Sequence, residues 1–214
     1  MEKPLADLRE NYGQKELLEE NCPNDPILFF DQWLNEALET IEIDANAMTI
    51  VTVNAAGQPS ARTVLLKAVT DGQFLFFTHY TGRKGIEISE NNKVAILFWW
   101  KELERQVRIE GTAERISRER SEAYFHTRPK GSQIGAVASP QSQVITREAL
   151  LDNFRKYEEL FKTAEQVPLP ENWGGYAVTP TLIEFWQGRP NRLHDRIQYT
   201  RNADHSWKIE RLAP

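Results

Sequence analysis

The chain has 214 residues, of which 40% are hydrophobic and 27% charged, with a formal net charge of −5 and a single cysteine. That length can bury one sizeable core, the acidic balance argues against general nucleic-acid binding, and lone Cys22 excludes an internal disulfide framework. No apolar run is long enough to span a bilayer and Met1–Gly13 lacks a signal-peptide pattern, so the reading is a soluble, cytoplasmic protein with no membrane or nucleic-acid partner.

Residues 1–24 are polar and charged and read as a mobile N-terminal arm, ending at the Cys22-Pro23-Asn24 break. Residues 25–214 read as one domain. Asp25-Pro26 supplies an N-cap and a first-turn proline. Phe30, Trp33, Leu34, Ala37, Leu38 and Ile41 then recur at helical spacing, which predicts an amphipathic helix over 26–41. From Met48 the period changes to that of strands: Met48–Asn54, Ser60–Val69, and Gln73–Thr78 after the Asp71-Gly72 turn. A helix is predicted over Thr81–Glu90, with Thr81 as its N-cap. Val94–Trp100 and Arg105–Ala113 read as further strands, and Ser117–Thr127 as a helix stopping before Pro129. Thr146–Phe161 is a second amphipathic pattern, with Leu150, Leu151, Phe154, Tyr157 and Phe161 inward. Gly175–Trp186, Arg192–Thr200 and Ser206–Arg211 close the chain as strands. Seven or eight strands with helices between them indicate a mainly β fold, a barrel with inserted helices.

The chemistry-bearing residues are basic and clustered, against an acidic background. In Arg192-Leu193-His194-Asp195-Arg196, strand alternation would put Arg192, His194 and Arg196 on one face and Leu193 in the core. Two guanidiniums and an imidazole would suit an anionic or planar electron-rich ligand; taken alone, such a triplet is more often a solvated strand face, and the basic residues elsewhere in the chain shift the balance. Arg62 and Lys67 lie five apart at the ends of an apolar run. Arg83 and Lys84 fall in the first turn of a predicted helix, where cations oppose the helix dipole; free backbone N–H groups and two cations there suit a phosphate. Tyr124 and Arg128 share a helical face, with Ser132 just beyond Pro129, as a second phosphate clasp or an ordinary helix end. Gln106, Gln141, Ser142 and Trp186 offer amides, a hydroxyl and an indole to a heteroaromatic ring, or to packing. Adjacent Trp99 and Trp100 must point to opposite faces, which one barrel interior cannot bury together. No metal-ligand spacing, Walker loop or Gly-x-Gly-x-x-Gly is present.

These segments together resemble the pyridoxamine (pyridoxine) 5′-phosphate oxidase family across essentially the whole chain. The matching stretches include Arg62-Thr-Val-Leu-Leu-Lys67, Arg83-Lys84, Leu103-Glu-Arg-Gln-Val107, Tyr124-Phe-His-Thr-Arg-Pro129 and Ser132-Gln-Ile-Gly-Ala136. Further matches are Gln141-Ser142, Trp173-Gly-Gly175, Ile183-Glu-Phe-Trp-Gln187, Arg192-Leu-His-Asp-Arg196 and Arg211-Leu-Ala-Pro214. The resemblance implies an FMN-binding split β-barrel and a homodimer with active sites at its interface. It implies an oxidase turning pyridoxine 5′-phosphate and pyridoxamine 5′-phosphate into pyridoxal 5′-phosphate, with O2 as acceptor. A non-catalytic flavin- or pyridoxal-phosphate-binding split barrel is the alternative. By position, FMN would be held by Arg62, Thr63, Val64, Leu65, Leu66, Lys67, Phe77, Thr78, Arg83, Lys84, Gln106, Gln141, Ser142, Trp186 and Arg196. The substrate would meet Lys67, Tyr124, Arg128 and Ser132 at its phosphate, with Arg192 and His194 over its ring as the catalytic pair. Arg9, Glu10, Asn11 and Tyr12 match a segment that closes over the substrate in the family. The chain departs from the family at Gly82, where a serine often precedes the Arg-Lys pair.

Overall fold

The computed structural model describes residues 12–214. Its first helix, α1 (Pro26–Thr40), starts where the sequence predicts: Asp25 accepts a hydrogen bond from the Ile27 N–H, and Pro26 occupies the first turn. Phe29, Phe30, Trp33 and Ala37 are buried along one stripe, whereas Leu38 is exposed. Phe30 wedges between Phe74 and Phe98 at ring-centroid distances of 4.9 and 5.0 Å. Burying such a side chain contributes about 2–3 kcal/mol, so this contact fixes α1 against the sheet.

The strands are β1 (Ala47–Val53), β2 (Pro59–Leu65), β3 (Ala68–Thr70), β4 (Gln73–His79), β5 (Lys93–Trp100), β6 (Arg105–Arg115), β7 (Trp173–Gln187), β8 (Asp195–Arg201) and β9 (Trp207–Arg211). They form one antiparallel sheet in the order β2-β1-β5-β6-β7-β4-β3, with β8 on β7 and β9 on β8. The long strand β7 explains the split. Its first part, Trp173–Val178, pairs with β4; its last part, Leu182–Gln187, pairs with β8 on that same side. A register shift at Glu110/Gly111 of β6 lies between the two halves.

The helices α2 (Arg83–Glu90), α3 (Arg118–Thr127), α4 (Lys130–Ala138) and α5 (Arg147–Leu160) sit between the strands. A second, smaller core of Phe125, Ile134, Ala136, Val167, Leu169 and Trp173 lies beneath α3 and α4. Phe154, Tyr157 and Phe161 pack on it from the α5 side, but α5 buries no residue fully and Leu151 is exposed. The segment 130–138, whose Gly131 and Gly135 give no helical signal in the sequence, is α4. It begins directly after Pro129.

Three further expectations are corrected. The run Ser60–Val69 is not one strand. It leaves β1 after Leu65, turns through Leu66 and Lys67, and resumes as β3 against β4, with the Lys67 N–H donating to the Leu75 carbonyl. Helix α2 starts at Arg83 with Gly82, not Thr81, at the cap. The C-terminal strand starts at Asp195 rather than Arg192, so Arg192, His194 and Arg196 do not share one strand face. Pro190 has no N–H for the ladder, and Asn191 and Arg192 adopt positive φ in a short turn. Leu193, expected in the core, is 68% exposed.

The described part of the N-terminal segment lies against the C-terminal strands. Leu17 is buried, its N–H donates to Asp195, and its carbonyl accepts from Arg211. Trp99 and Trp100 do part: Trp100 is buried and donates to the Ala45 carbonyl, whereas Trp99 is 46% exposed.

Candidate functional site

Helix α2 packs directly on the end of β4 because residue 85 is glycine. A Cβ there would come within 2.3 Å of the Tyr80 carbonyl oxygen and 2.7 Å of that of His79. This approach sets Lys84 beside Thr78. The Lys84 side chain is buried, and its Nζ donates to Thr78 Oγ1 at 3.1 Å and Gln141 Oε1 at 2.9 Å. Both acceptors are neutral, and burial, followed by repulsion from Arg62, pushes the lysine pKa down. Across the same space, Arg128 follows the last turn of α3, its guanidinium 4.9 Å from the Trp173 ring. Its Nη1 is buried without a partner, and burial lowers its pKa as well. Among the described residues, neither cation is ion-paired to a carboxylate.

These two groups border a pocket of about 700 Å³. Its lining unites much of the expected set: Thr63, Val64, Leu65, Lys67, Phe77, Thr78, Lys84, Tyr124, Arg128, Ser132 and Gln141. Phe77, Tyr124 and Trp173 form one wall as stacked rings, with Phe77 and Tyr124 at 3.8 Å between centroids. Burial raises the Tyr124 hydroxyl pKa, so it serves as a neutral donor. A polar space with the cations Lys67, Lys84 and Arg128, unpaired among the described residues, and several hydroxyl donors suits a phosphorylated planar ligand.

Other expected residues lie just outside this lining. Leu66 is buried under the corner. Arg62 and Arg83 are both held by the buried carboxylate of Glu87, at 3.2 and 2.8 Å. Ser142, at φ 70°, accepts from the Arg83 N–H at 3.1 Å and so caps α2 from another loop. A Cβ at Gly82 would come within 2.5 Å of Gln141 Oε1, so the glycine leaves room for that amide.

A second group forms elsewhere. Trp186 and His194 rings lie 4.7 Å apart, Tyr12 stands at 5.8 Å from both, and Trp99 at 5.9 Å from Trp186. His194 Nδ1 accepts from the Arg189 N–H at 3.1 Å, which leaves Nε2 as the protonated nitrogen of a neutral ring. Burial, then Arg192, lowers its pKa. Gln106 pairs with Trp186 in the ladder; Arg196 is bound to Glu184 at 2.8 Å; Arg192 is exposed. Arg9, Glu10 and Asn11 lie outside the described residues. Trp173 of the first group and Trp186 of the second are on the same strand, roughly 40 Å apart along its length. One chain therefore carries the two groups at opposite ends of β7.

Comparison with known proteins identifies the family. Residues 34–171 match the family model described as pyridoxamine 5′-phosphate oxidase. The chain belongs to that family. Residues 173–214 match the family's C-terminal dimerisation region, which contains the whole of β7, β8 and β9. A pyridoxine/pyridoxamine 5′-phosphate oxidase of Thermosynechococcus vestitus is 53% identical over 98% of this chain and 99% of its own. One from Leptospira interrogans is 49% identical over the full length of both. Among solved structures, PhzG from Burkholderia lata, in complex with tetrahydrophenazine-1-carboxylic acid, superposes with a TM-score of 0.86 at 28% identity, covering 93% of this chain and 98% of that one. An FMN-binding, pyridoxamine 5′-phosphate oxidase-related protein of Nostoc punctiforme has the same split-barrel fold, with a TM-score of 0.70 at 18% identity over 86% of this chain and 97% of its own.

The residues that sequence reasoning passed over are Glu87, which organises two of the expected arginines, and His79, which lines the pocket. An acid four residues beyond Arg83 on a helix was a legible signal for the first. Among the described residues, no helix is long and apolar enough to cross a membrane.

Proposed function

We propose that this protein is an FMN-dependent oxidase converting pyridoxine 5′-phosphate and pyridoxamine 5′-phosphate to pyridoxal 5′-phosphate, with O2 as acceptor and H2O2 as product. The observation that carries the reading is the pocket with two acid-free cations drawn out of solvent, Lys84 and Arg128, and exposed Lys67 at its rim, in a chain about half identical to named oxidases throughout its length. Two phosphorylated ligands account for two cations that otherwise lack counter-charges.

The residues fit FMN: a buried lysine resting only on neutral acceptors, Thr78 and Gln141, offers charge-assisted bonds to its phosphate. When bound, FMN supplies the two-electron redox chemistry. The chain's own contribution is binding and alignment. Lys84, with Arg62 and Arg83 steadied by Glu87, holds the cofactor phosphate. Lys67, Tyr124, Arg128 and Ser132 hold the substrate phosphate, and the Phe77–Tyr124–Trp173 wall excludes water from one side. Arg192 and His194 of the partner subunit complete the site over the substrate ring, because the same residues of one chain stand at the far end of β7. His194, neutral and fixed by Arg189, orients the substrate through Nε2–H; Arg192 stabilises charge as the substrate's 4′ carbon is oxidised. A homodimer with two composite sites follows, and cytoplasmic placement belongs to the same proposal.

The test is direct. The purified protein should show flavin absorption bands, and pyridoxine 5′-phosphate added in air should yield aldehyde and peroxide. A flavoprotein that binds pyridoxal 5′-phosphate without turnover would favour the non-catalytic alternative. A protein that takes up no FMN would end the proposal.

A further inference from the structure

His79 is the one pocket-lining imidazole, and neither the ligand assignments above nor the proposed mechanism uses it. It ends β4, is 5% exposed, and its Nδ1 is buried without a hydrogen-bond partner. A buried ring nitrogen left without a partner costs about 1–3 kcal/mol, so the ring is held at the pocket by packing rather than by a hydrogen bond to Nδ1. The charged groups that act on it are Lys84 from α2 and Arg128 from the end of α3. Lys67, exposed, stands on the pocket rim, and Tyr124 is the remaining titratable group of the lining. Glu87, the buried acid of α2, is committed to Arg62 and Arg83. Across the ladder β7 offers Trp173, which carries no charge.

We infer that His79 is a proton-accepting member of the anion site, neutral without ligand and converted to imidazolium when a phosphate monoester dianion settles beside Lys84 or beside Arg128. The geometry supplies both states. Without the dianion, two cations and burial disfavour a third positive charge, and the imidazole pKa is held below its ordinary value. An opposite charge within a few ångströms reverses the balance, commonly by about 1–3 pH units. The proton comes from solvent, and the imidazolium then donates to a phosphate oxygen. Ligand binding and proton uptake are thus one event, and affinity rises as pH falls, by at most about ten-fold per pH unit for one proton.

This inference rests on reading the pocket as a phosphate site, and the dianion could be that of FMN or of the B6 vitamer. Isothermal titration near pH 7 in two buffers of different ionisation enthalpy counts the protons. One arm adds FMN to the apoprotein; the other adds pyridoxal 5′-phosphate to the FMN-loaded enzyme. Wild type should take up about half a proton or more beyond His79→Asn in one arm, which identifies the phosphate concerned. Comparing the two proteins cancels the ligand's own ionisation. If His79→Asn binds poorly, the wild type still decides: of the chain's four histidines, one Cε1–H resonance should shift its titration upward on ligand binding, and His79→Gln assigns it. Equal proton counts for wild type and His79→Asn in each arm, with no such upward shift, would overturn the role of His79 and leave the functional proposal intact. Failure of both ligands to bind would sink the two together.

Discussion

Glu87 holds Arg62 and Arg83 with its two carboxylate oxygens, on a side chain only 4% exposed. Ser60 donates to the same carboxylate at 2.6 Å, and Thr52 does so as well. Two of the arginines expected at the cofactor phosphate are therefore ordered by the protein itself. A phosphate would meet a frame already set.

Glu87→Gln should leave Arg62 poorly compensated and destabilise the fold by about 2 kcal/mol. That is below the usual figure for breaking a buried pair, because Arg83 is largely exposed. The pH dependence follows from the same contacts. Burial pushes the Glu87 carboxyl up, but hydrogen bonds from Ser60, Thr52, Arg83 and Arg62 outweigh it and hold the pKa at about 2, against an ordinary 4.5. Because the folded-state value is depressed, the stabilisation is complete above about pH 4.5 and is lost as pH falls toward 2. Denaturant melts between pH 6 and pH 3 should show a smaller loss for Glu87→Gln than for wild type. Parallel losses would show that another acid governs the acid limb.

Lys84→Ala removes a cation whose bonds go only to Thr78 and Gln141 among the described residues. One charge-assisted bond is worth ~1.5–3 kcal/mol, so FMN affinity should fall about ten-fold or more. The apoprotein should remain folded, because a buried charge without an acid partner is not holding the core together. Equilibrium dialysis with FMN and a thermal melt check both parts. Unchanged affinity would move the cofactor phosphate elsewhere.

Arg128 carries a buried, unpartnered Nη1 beside Tyr124 and Ser132, which suits the remote phosphate of the substrate. Arg128→Ala should reduce kcat/KM for pyridoxine 5′-phosphate by about 10- to 150-fold. The loss should fall mainly on KM, since that phosphate is held alike in ground and transition states. Arg192→Ala should instead depress kcat. Steady-state kinetics with pyridoxine and its phosphate separate the cases: an equal loss for both substrates would show that Arg128 does not read the phosphate.

Dimer assembly has a sharper test than mass alone. Lys84 and Arg192 lie toward opposite ends of β7, so the proposed composite site would take one from each subunit. Lys84→Ala and Arg192→Ala homodimers should each be impaired. Unfolding them together and refolding should restore about a quarter of the sites, since half of randomly paired dimers are mixed and each mixed dimer regains one intact site. No recovery, alongside a confirmed mixed dimer, would show that both residues serve a site within one subunit.

Much of this was legible in local signals. Asp25-Pro26 marks the start of α1, and the alternation of Val94–Trp100 sends Trp99 outward and Trp100 inward, because these features depend on neighbours in the chain. Composition and charge order likewise revealed two basic clusters in an acidic protein. The partition of those clusters was decided by tertiary structure. β7 pairs with β4 at one end and β8 at the other, and no local pattern encodes which strands a long strand will join. The turn that lifts Arg192 and Leu193 off the sheet depends on Asn191 and Arg192 adopting positive φ, which a β-rich pattern nearby concealed. The roles of Glu87 and His79 arise from contacts with β1, β2 and α3, elements distant in sequence. Residue types set which charges this protein carries; burial and packing across the sheet set which of them remain free to bind.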